Sequence, residues 1–500
     1  MHDYKVVALC AAASLFAPIA GAQSLAAVWG GYGHDAQHTG VSAVAAQPFN
    51  RVKWSTPVDT LLQGASGELL IHYGSPLITA ANTVLVPQRT GDNTWQINAW
   101  NGATGAALYS LASDYTSPPH NWIPSYGPAL ALGTRLYYPG PGGTVYYRNS
   151  PDSTSGASGQ LAFYGLSTYQ ANRTALNNTV MISTPITADR FGNIYFGFRV
   201  TGSNPAGLTS GLARISVSGA GSWVGASALA GGDTSITQVQ MNCAPAVNAA
   251  GTIVYIGVSG GSYTPGYLTS ANAATLAPLA HVYLTDPNTG QHATLLDDSS
   301  AAPTIGPDGD VYYGVFETQC CSNHDRGWLL HFNSALTVSK LPGAFGWDTT
   351  ASVVARNLLP TYQGSSAYLL LTKYNNYKET GGAGLNYVAI IDPNNSMTDP
   401  ITGVTVMNVF MEQLGRTPDG PPAGAVREWC INSAAIDPVT KSAIVNSEDG
   451  TNYRWDFTTN TFSQSIYLTA GVAEAYTPTV IGPDGTVYAI NDGILFAIGQ

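Results

Sequence analysis

One phrase recurs along the 500-residue chain and restricts its fold more than any other feature. The clearest copies read APTIGPDGDVYYG at 302–314, TPTVIGPDGTVYAI at 477–490, TPITADRFGNIYFG at 184–197 and APAVNAAGTIVYIG at 244–257. In each copy a short apolar strand precedes a turn, and a second strand rich in Val, Tyr and Ile returns. Such self-similarity predicts a chain built from equivalent β units.

Weaker copies of the phrase fill the intervals between the clear ones. The units begin near residues 76, 128, 184, 244, 302, 352, 433 and 477. Third strands follow several copies, as in LLHFN at 329–333. Four strands in a unit of about 40–50 residues are typical of a propeller blade. We therefore predict an all-β propeller of eight four-stranded blades, with seven blades or two stacked sandwiches as the alternatives.

The two ends of the chain are expected to share one blade. The last unit stops after its third strand, at Gln500, and residues 51–55 (RVKWS) resemble an isolated strand. If this strand is the fourth of the last blade, the ring has no free sheet edge, which would otherwise invite aggregation.

The first residues predict export. Lys5 precedes an apolar run over 6–20, and Ala20-Gly21-Ala22 matches a signal-peptidase site. We interpret 1–24 as a signal peptide and 25–500 as one domain in the periplasm or outside the cell. No other run is apolar for long enough to span a membrane.

The charge balance narrows the class of partner. Charged residues make up 10% of the chain and the formal net charge is -11. A nucleic acid or an anionic membrane surface requires a basic face, so neither is an expected partner.

Several motifs resemble one known family. They are WGGYGHDAQHTGVS at 29–42, VKWSTPV at 52–58, and the DG-x-V-Y turns at 308–312 and 484–488. This pattern resembles the pyrroloquinoline-quinone-like propeller proteins over most of residues 29–500. The family includes quinone-dependent alcohol dehydrogenases and an outer-membrane assembly lipoprotein, so the resemblance implies a fold and leaves the activity open.

The number and spacing of the cysteines indicate which disulfide bonds and which metal or haem sites the chain could form. Export would leave Cys243, Cys320, Cys321 and Cys430, which allow three disulfide pairings, and all four are candidates for disulfide bonds. The adjacent Cys320 and Cys321 could join each other or pair elsewhere. No CxxCH, CxxC or HExxH occurs, so neither covalent haem nor a common zinc motif is indicated.

The resemblance also bears on the quinone. In the family's alcohol dehydrogenases, adjacent cysteines form a ring beside the cofactor. Here the pair follows the second strand of a blade (311–316), and the family's tryptophan docking motif is not evident. We therefore predict no cofactor, with pyrroloquinoline quinone or calcium as the alternative.

One face of the propeller is expected to carry the binding site. The loops that enter the first strands and those that join the second and third strands open on the same side, here called the channel face. Its candidate binding residues are Trp347, Asp348, Glu428, Trp429, Glu474, Tyr476, Glu317 and His324. Aromatic faces beside carboxylates both stack on and hydrogen-bond a sugar or peptide.

Each candidate also has a structural interpretation. Trp347 and Trp429 could instead plug the channel, and 317–326 could be a loop stiffened by a disulfide rather than a metal or substrate site. Glu428 could act as an acid/base, or belong to a hydrogen-bonded rim with Cys430 in a disulfide. The i, i+4 pair His34 and His38 suggests a metal site, but the surrounding glycines do not support a helix, which favours a packing role.

Three functions follow from these observations. The first is binding of a polymer, a small polar ligand or a protein partner through the channel face. The second is an enzyme acting on an extracellular carbohydrate or another small polar substrate, and the third is a quinone-dependent dehydrogenase. No motif requires catalysis, so binding is the leading hypothesis; the sequence sets no oligomeric state.

Overall fold

The computed structural model describes residues 28–59, 74–91, 94–119, 125–297, 299, 301–470 and 477–500. These residues form eight antiparallel sheets arranged as a ring, which confirms the predicted eight-bladed β-propeller. Every unit start expected from the repeat lies within a few residues of the first strand of a blade.

The strands are numbered in chain order, and β1 (Arg51–Pro57) precedes the blades. Blade one contains β2 (Leu77–Ile78), β3 (Thr83–Gly91), β4 (Thr94–Asn101) and β5 (Ala107–Ser113), and blade two contains β6 (Ala129–Ala131), β7 (Arg135–Pro139), β8 (Val145–Asn149) and β9 (Ser158–Leu161). Blade three contains β10 (Val180–Ile182), β11 (Thr187–Ala188), β12 (Ile194–Val200), β13 (Gly211–Ile215) and β14 (Gly221–Gly225). Blade four contains β15 (Gln238–Val239), β16 (Ala246–Val247), β17 (Ile253–Ser259), β18 (Gly266–Asn272) and β19 (Pro278–Tyr283).

Blade five contains β20 (Thr304–Ile305), β21 (Val311–Val315) and β22 (Trp328–Phe332), and blade six contains β23 (Ser352–Ala355), β24 (Tyr368–Tyr374), β25 (Tyr387–Thr398) and β26 (Thr405–Leu414). Blade seven contains β27 (Ala435–Asp437), β28 (Ser442–Asn446), β29 (Thr451–Asp456) and β30 (Thr461–Tyr467). Blade eight contains β31 (Val480–Ile481), β32 (Val487–Asn491) and β33 (Ile494–Gly499). The α-helices of the described residues are α1 (Leu166–Ala171), α2 (Arg173–Thr179) and α3 (Ala226–Leu229), and three short 3-10 helices span Pro141–Gly143, Arg356–Leu358 and Lys378–Thr380. None of these helices has the length and apolarity that crossing a bilayer requires.

Strand β1 closes the ring. It pairs antiparallel with β33, so that Arg51 lies opposite Gly499 and Pro57 opposite Ile494. The last blade therefore takes its fourth strand from the start of the chain, as the sequence predicts.

The repeated DG turns have the geometry expected of Asx turns. Oδ1 of Asp308 accepts a hydrogen bond from the Asp310 N–H at 3.0 Å, and Oδ1 of Asp484 accepts one from Thr486 at 3.0 Å. Gly485 has φ 81°, in the left-handed region that favours glycine. These aspartates therefore shape turns, which explains why the repeat retains them.

Residues 29–47, here called the channel segment, line the inside of the ring. Trp29 exchanges two hydrogen bonds with Ile78, both of 3.0 Å. Further carbonyls of the segment accept N–H groups of successive inner strands at 2.7–3.0 Å: those of Leu130, Val247, Ile305, Val353 and Ile436. The segment therefore runs around the channel from blade one to blade seven and satisfies inner-strand donors that no neighbouring strand reaches.

The two histidines of the channel segment have no helical spacing. His34 and His38 have φ values of 81° and 60°. Nδ1 of His38 lies 2.8 Å from the carbonyl oxygen of Pro303, and burial lowers the pKa of this imidazole to about 4. His38 is thus a neutral, buried packing residue, in line with the structural interpretation.

Blade five departs from the four-strand pattern. It contains three named strands, and Ser339 and Gly343 make only isolated bridges to β22. The long hairpin of β25 and β26 reaches over this blade, because Met407 donates its N–H to the Pro342 carbonyl at 2.7 Å and Val406 packs in the same apolar cluster as Leu330.

Candidate binding site on the channel face

Two carboxylates and a thiol meet where blade seven faces the channel. The loop before β27 supplies Glu428 and Cys430, and the loop between β28 and β29 supplies Glu448. Their donor atoms all lie within 4.8 Å of one another. We call these three residues the acid–thiol cluster.

Hydrogen bonds fix the acid–thiol cluster. The Glu428 N–H donates to Oε1 of Glu448 at 3.0 Å. The Cys430 thiol donates to Oε2 of Glu448 at 3.4 Å and lies 3.8 Å from Oε2 of Glu428. Cys430 and Glu448 are buried, whereas Glu428 is half-buried and forms the accessible side of the cluster.

Burial shifts the acidity of both carboxyl groups. Burial first, and then the charge of Glu448, raise the pKa of Glu428 from 4.5 to about 7. Burial also raises the pKa of Glu448. Because Glu428 exchanges its proton close to neutral pH, the cluster can offer either a hydrogen-bond donor or a second negative charge.

A buried ion pair lies at blade six on the same face. Nζ of Lys373 is 3.8 Å from Oδ2 of Asp348, with side chains 1% and 2% exposed, and Nζ lies 6.0 Å from the ring centroid of Phe345. Pairing and the aromatic contact compensate in part for the cost of removing both charges from water.

The channel segment adds a phenol to this region. The Tyr32 hydroxyl lies 2.9 Å from Oγ1 of Thr350 and also donates to Oδ1 of Asn432. Burial raises the pKa of Tyr32 far above its usual range, so the group stays protonated. The sequence does not predict Tyr32 as a site residue, because its position depends on the path of the channel segment. Asn432 lies two residues after Cys430, so its position in the repeat before β27 could have identified it.

The two candidate tryptophans have different environments. Trp429 has no exposed surface; its Nε1 donates to the Asn386 carbonyl at 3.2 Å, and its ring packs 5.6 Å from that of Tyr453. Trp347 is half-buried and contacts Phe316 edge to face at 5.0 Å. Only Trp347 therefore presents an aromatic surface that a ligand could reach.

The polar loop 317–326 is held by its own contacts. Cys320 and Cys321 are bonded to each other, so they supply no thiolates. Buried Glu317 accepts the Asn323 N–H at 3.0 Å, and Nδ1 of His324 lies 2.9 Å from Oδ1 of Asn376. This agrees with the interpretation of a disulfide-stiffened loop.

The other two cysteines correct the sequence analysis. Cys243 and Cys430, both candidates for disulfide bonds, are buried and form none. Cys243 accepts the Gly257 N–H at 3.4 Å, and burial raises its pKa to about 11. An oxidising compartment would permit disulfides but would not bring distant cysteines together, and these two occupy core positions in different blades.

The remaining candidates fall outside the described residues. They are Glu474 and Tyr476, together with the predicted signal peptide over 1–24.

Comparisons with known proteins support the fold alone. No family model and no curated protein matches the chain. The quinohemoprotein alcohol dehydrogenase from Comamonas testosteroni superposes with a TM-score of 0.55 and 9% identity, over 95% of this chain and 81% of that chain. A quinohemoprotein alcohol dehydrogenase from Pseudomonas putida HK5 gives a TM-score of 0.49 at 11% identity, over 95% and 76% of the two chains. The chain therefore shares its propeller fold with a quinohemoprotein alcohol dehydrogenase, in agreement with the resemblance of its sequence motifs.

The residues around the acid–thiol cluster do not match the charge of pyrroloquinoline quinone. This quinone has several carboxylates, so its site requires cationic side chains. Here Lys373 is paired with Asp348 and Arg427 lies 3.5 Å from Asp419, while the cluster itself adds carboxyl groups. The mixed thiol and carboxylate donors also do not match the oxygen ligands that calcium prefers; they suit a metal such as zinc.

Proposed function

We propose that the protein is exported and that its channel face binds a polymer or protein partner. The acid–thiol cluster forms the polar contact, and Trp347 provides the stacking surface. The observation that carries the proposal is the meeting of Glu428, Glu448 and the Cys430 thiol within 4.8 Å on a face where a half-buried tryptophan is also accessible.

The carboxyl groups of the channel face determine which charge and which hydrogen-bonding groups a partner should have. Carboxyl groups accept hydrogen bonds, and their repulsion is relieved by a cation. A partner that offers N–H or O–H donors with positive charge is therefore favoured, whereas an anionic polymer is disfavoured. An amino sugar polymer has these properties together with a ring face that stacks on Trp347.

A second function is favoured by the pKa of Glu428. A carboxyl group that titrates near pH 7 suits general acid/base catalysis, and Glu448 lies close enough to serve as its partner. The alternative is an enzyme that cleaves an extracellular carbohydrate at the same site.

One binding experiment tests both functions. We expect chitosan hexasaccharide, whose amino groups can carry positive charge, to bind the wild-type protein more tightly than the neutral chitin hexasaccharide at about pH 7, where a substantial part of Glu428 is ionised. The double variant Glu428→Gln/Glu448→Gln should lose about tenfold or more in affinity. The control is Asp114→Asn, which changes an exposed carboxylate after β5 in blade one that is not part of the proposed site.

The outcomes separate the hypotheses. Equal affinity of wild type and double variant would refute the proposed site. Shortened saccharides in the wild-type sample, absent from Glu428→Gln, would favour the enzyme. Intact saccharides with affinity lost only in the double variant would favour binding.

Export is tested separately. A secreted or periplasmic protein whose N-terminal sequence begins close after Ala22 is the expected product in a Gram-negative host. Recovery of the uncleaved chain from the cytoplasm alone would contradict the proposal.

A further inference from the structure

A cavity of about 610 Å³ lies beneath the long hairpin of β25 and β26, and its lining includes none of the three residues of the acid–thiol cluster. Its volume is within the range of small-molecule sites. The hairpin forms its cover because Met397 packs against blade five while Val409 and Phe410 line the interior. We call this space the hairpin cavity.

The polar wall of the hairpin cavity contains a buried ion pair. Nη2 of Arg326 lies 2.7 Å from Oδ2 of Asp399, and both side chains are almost completely buried. That same oxygen accepts hydrogen bonds from the N–H and hydroxyl of Thr402 at 2.9 and 2.8 Å. Asp399 is therefore a neutralised, firmly positioned carboxylate.

Two polar atoms of this wall remain unsatisfied. Oδ1 of Asp399 and the Tyr374 hydroxyl are buried, and neither makes a well-formed hydrogen bond with a described residue. The neighbouring Arg326 guanidinium still interacts with the Tyr374 hydroxyl. Burial raises the pKa of Tyr374 far above its usual range, so its hydroxyl keeps the proton. A buried polar atom without a partner costs about 1–3 kcal/mol, which a ligand would recover.

The chemistry of the wall defines the ligand. Oδ1 of Asp399 requires a donor, and the Tyr374 hydroxyl can supply one to an acceptor. A cation gains little because Arg326 already neutralises Asp399, and an anion would meet the Asp399 carboxylate. Met397, Val409 and Phe410 require an apolar body.

We propose that the hairpin cavity binds a small neutral amide with an aliphatic or aromatic body. The amide N–H donates to Oδ1 of Asp399, and the amide carbonyl accepts from the Tyr374 hydroxyl. This site is additional to the channel face and does not depend on the function proposed there.

Calorimetric titration with a matched probe series tests the proposal. Hexanamide should bind saturably, whereas N,N-dimethylhexanamide, hexylamine and hexanoate should bind at least about fivefold more weakly, because each lacks the donor or adds a charge. Tyr374→Phe should weaken hexanamide binding about fivefold, and Val409→Trp, which fills the cavity, should abolish it. Tyr467→Phe, at an exposed tyrosine of β30, is the control and should bind like the wild type.

Three results would overturn the assignment. The first is that hexanamide does not bind up to its solubility limit, and the second is that all four probes bind with equal affinity. The third is that the affinity for hexanamide is unchanged in both Tyr374→Phe and Val409→Trp. Circular dichroism of each variant establishes that the fold is intact, and Tyr374→Phe removes a single oxygen, so its folding is not in question.

Discussion

At the scale of single residues, Trp347 and Trp429 show what sequence register can and cannot determine. The repeat placed both before the inner strand of a blade, and both do lie there. Register does not decide burial, because burial depends on which side chains from other strands and loops cover the ring. Tyr453 and Phe462, from blade seven, cover Trp429, whereas Trp347 keeps an accessible surface.

Replacing these tryptophans should therefore have different effects. Trp429→Ala should lower the free energy of unfolding by roughly 3–5 kcal/mol, because it removes a large, fully buried ring. Trp347→Ala should cost about 1 kcal/mol and instead weaken partner binding. Denaturant unfolding of both variants checks this, and equal losses of stability would contradict it.

The acidity of Glu428 predicts a pH dependence of stability. The Glu428 carboxyl group has a pKa of about 7 in the folded protein, compared with its ordinary value of 4.5 in the unfolded chain. The folded protein therefore binds the Glu428 proton more tightly than the unfolded chain does. The contribution of Glu428 to stability is therefore fully present below pH 4.5 and is lost as pH rises toward 7. Glu428→Gln should stabilise the protein at pH 8 by on the order of 2 kcal/mol and change little at pH 4.5.

Thermal unfolding across this pH range checks the Glu428 prediction. The control is Asp114→Asn, at an exposed carboxylate after β5 in blade one, which should leave the profile unchanged. A wild-type profile without a decline between pH 4.5 and 7, or one that Glu428→Gln leaves intact, would show that Glu428 is not the group concerned.

At the scale of elements, the sequence predicted the order of the strands and the turns between them, but not the irregular strands and the long hairpin that contact other blades. The repeat phrase determined the start of each blade and the DG turns, since both depend on local turn chemistry. It could not predict the split inner strands of blades three and four, or the reach of β25 and β26 over blade five. These features depend on contacts between blades, which have no local signature.

The channel segment offers an element-scale prediction at Gly40. Its φ is 68°, and a Cβ atom there would lie 2.7 Å from the Ala434 carbonyl oxygen and 2.8 Å from Oγ of Ser352. Gly40→Ala should therefore destabilise the protein by about 2–4 kcal/mol, since backbone strain and a clash combine. Gly207→Ala, with φ 64° and open space around the Cβ position, is the matched control and should cost only about 1 kcal/mol.

Chemical denaturation of the Gly40 and Gly207 variants measures the difference. If both lose the same stability, the channel segment does not pack tightly against blades six and seven.

At the scale of the whole molecule, the ring depends on its first residues. Deleting residues 25–58 removes β1 and the channel segment together, which leaves the edge of β33 and several inner-strand N–H groups without partners. Truncation should therefore lower the melting temperature of the entire ring and cause aggregation. Calorimetry compares it with a chain lacking only residues 1–24, and an unchanged melting temperature would disprove closure by β1.

The distance in sequence between the closing contacts governs how this protein is made. Gln47 accepts the Gln500 N–H at 2.9 Å, a contact 453 residues apart. Contacts of such long range are slow to form, so β1 is expected to close the ring only after the strands between it and β33 have been made. Until then the open edge of β33 can pair with other chains, so folding intermediates of this protein should aggregate more readily than the closed ring.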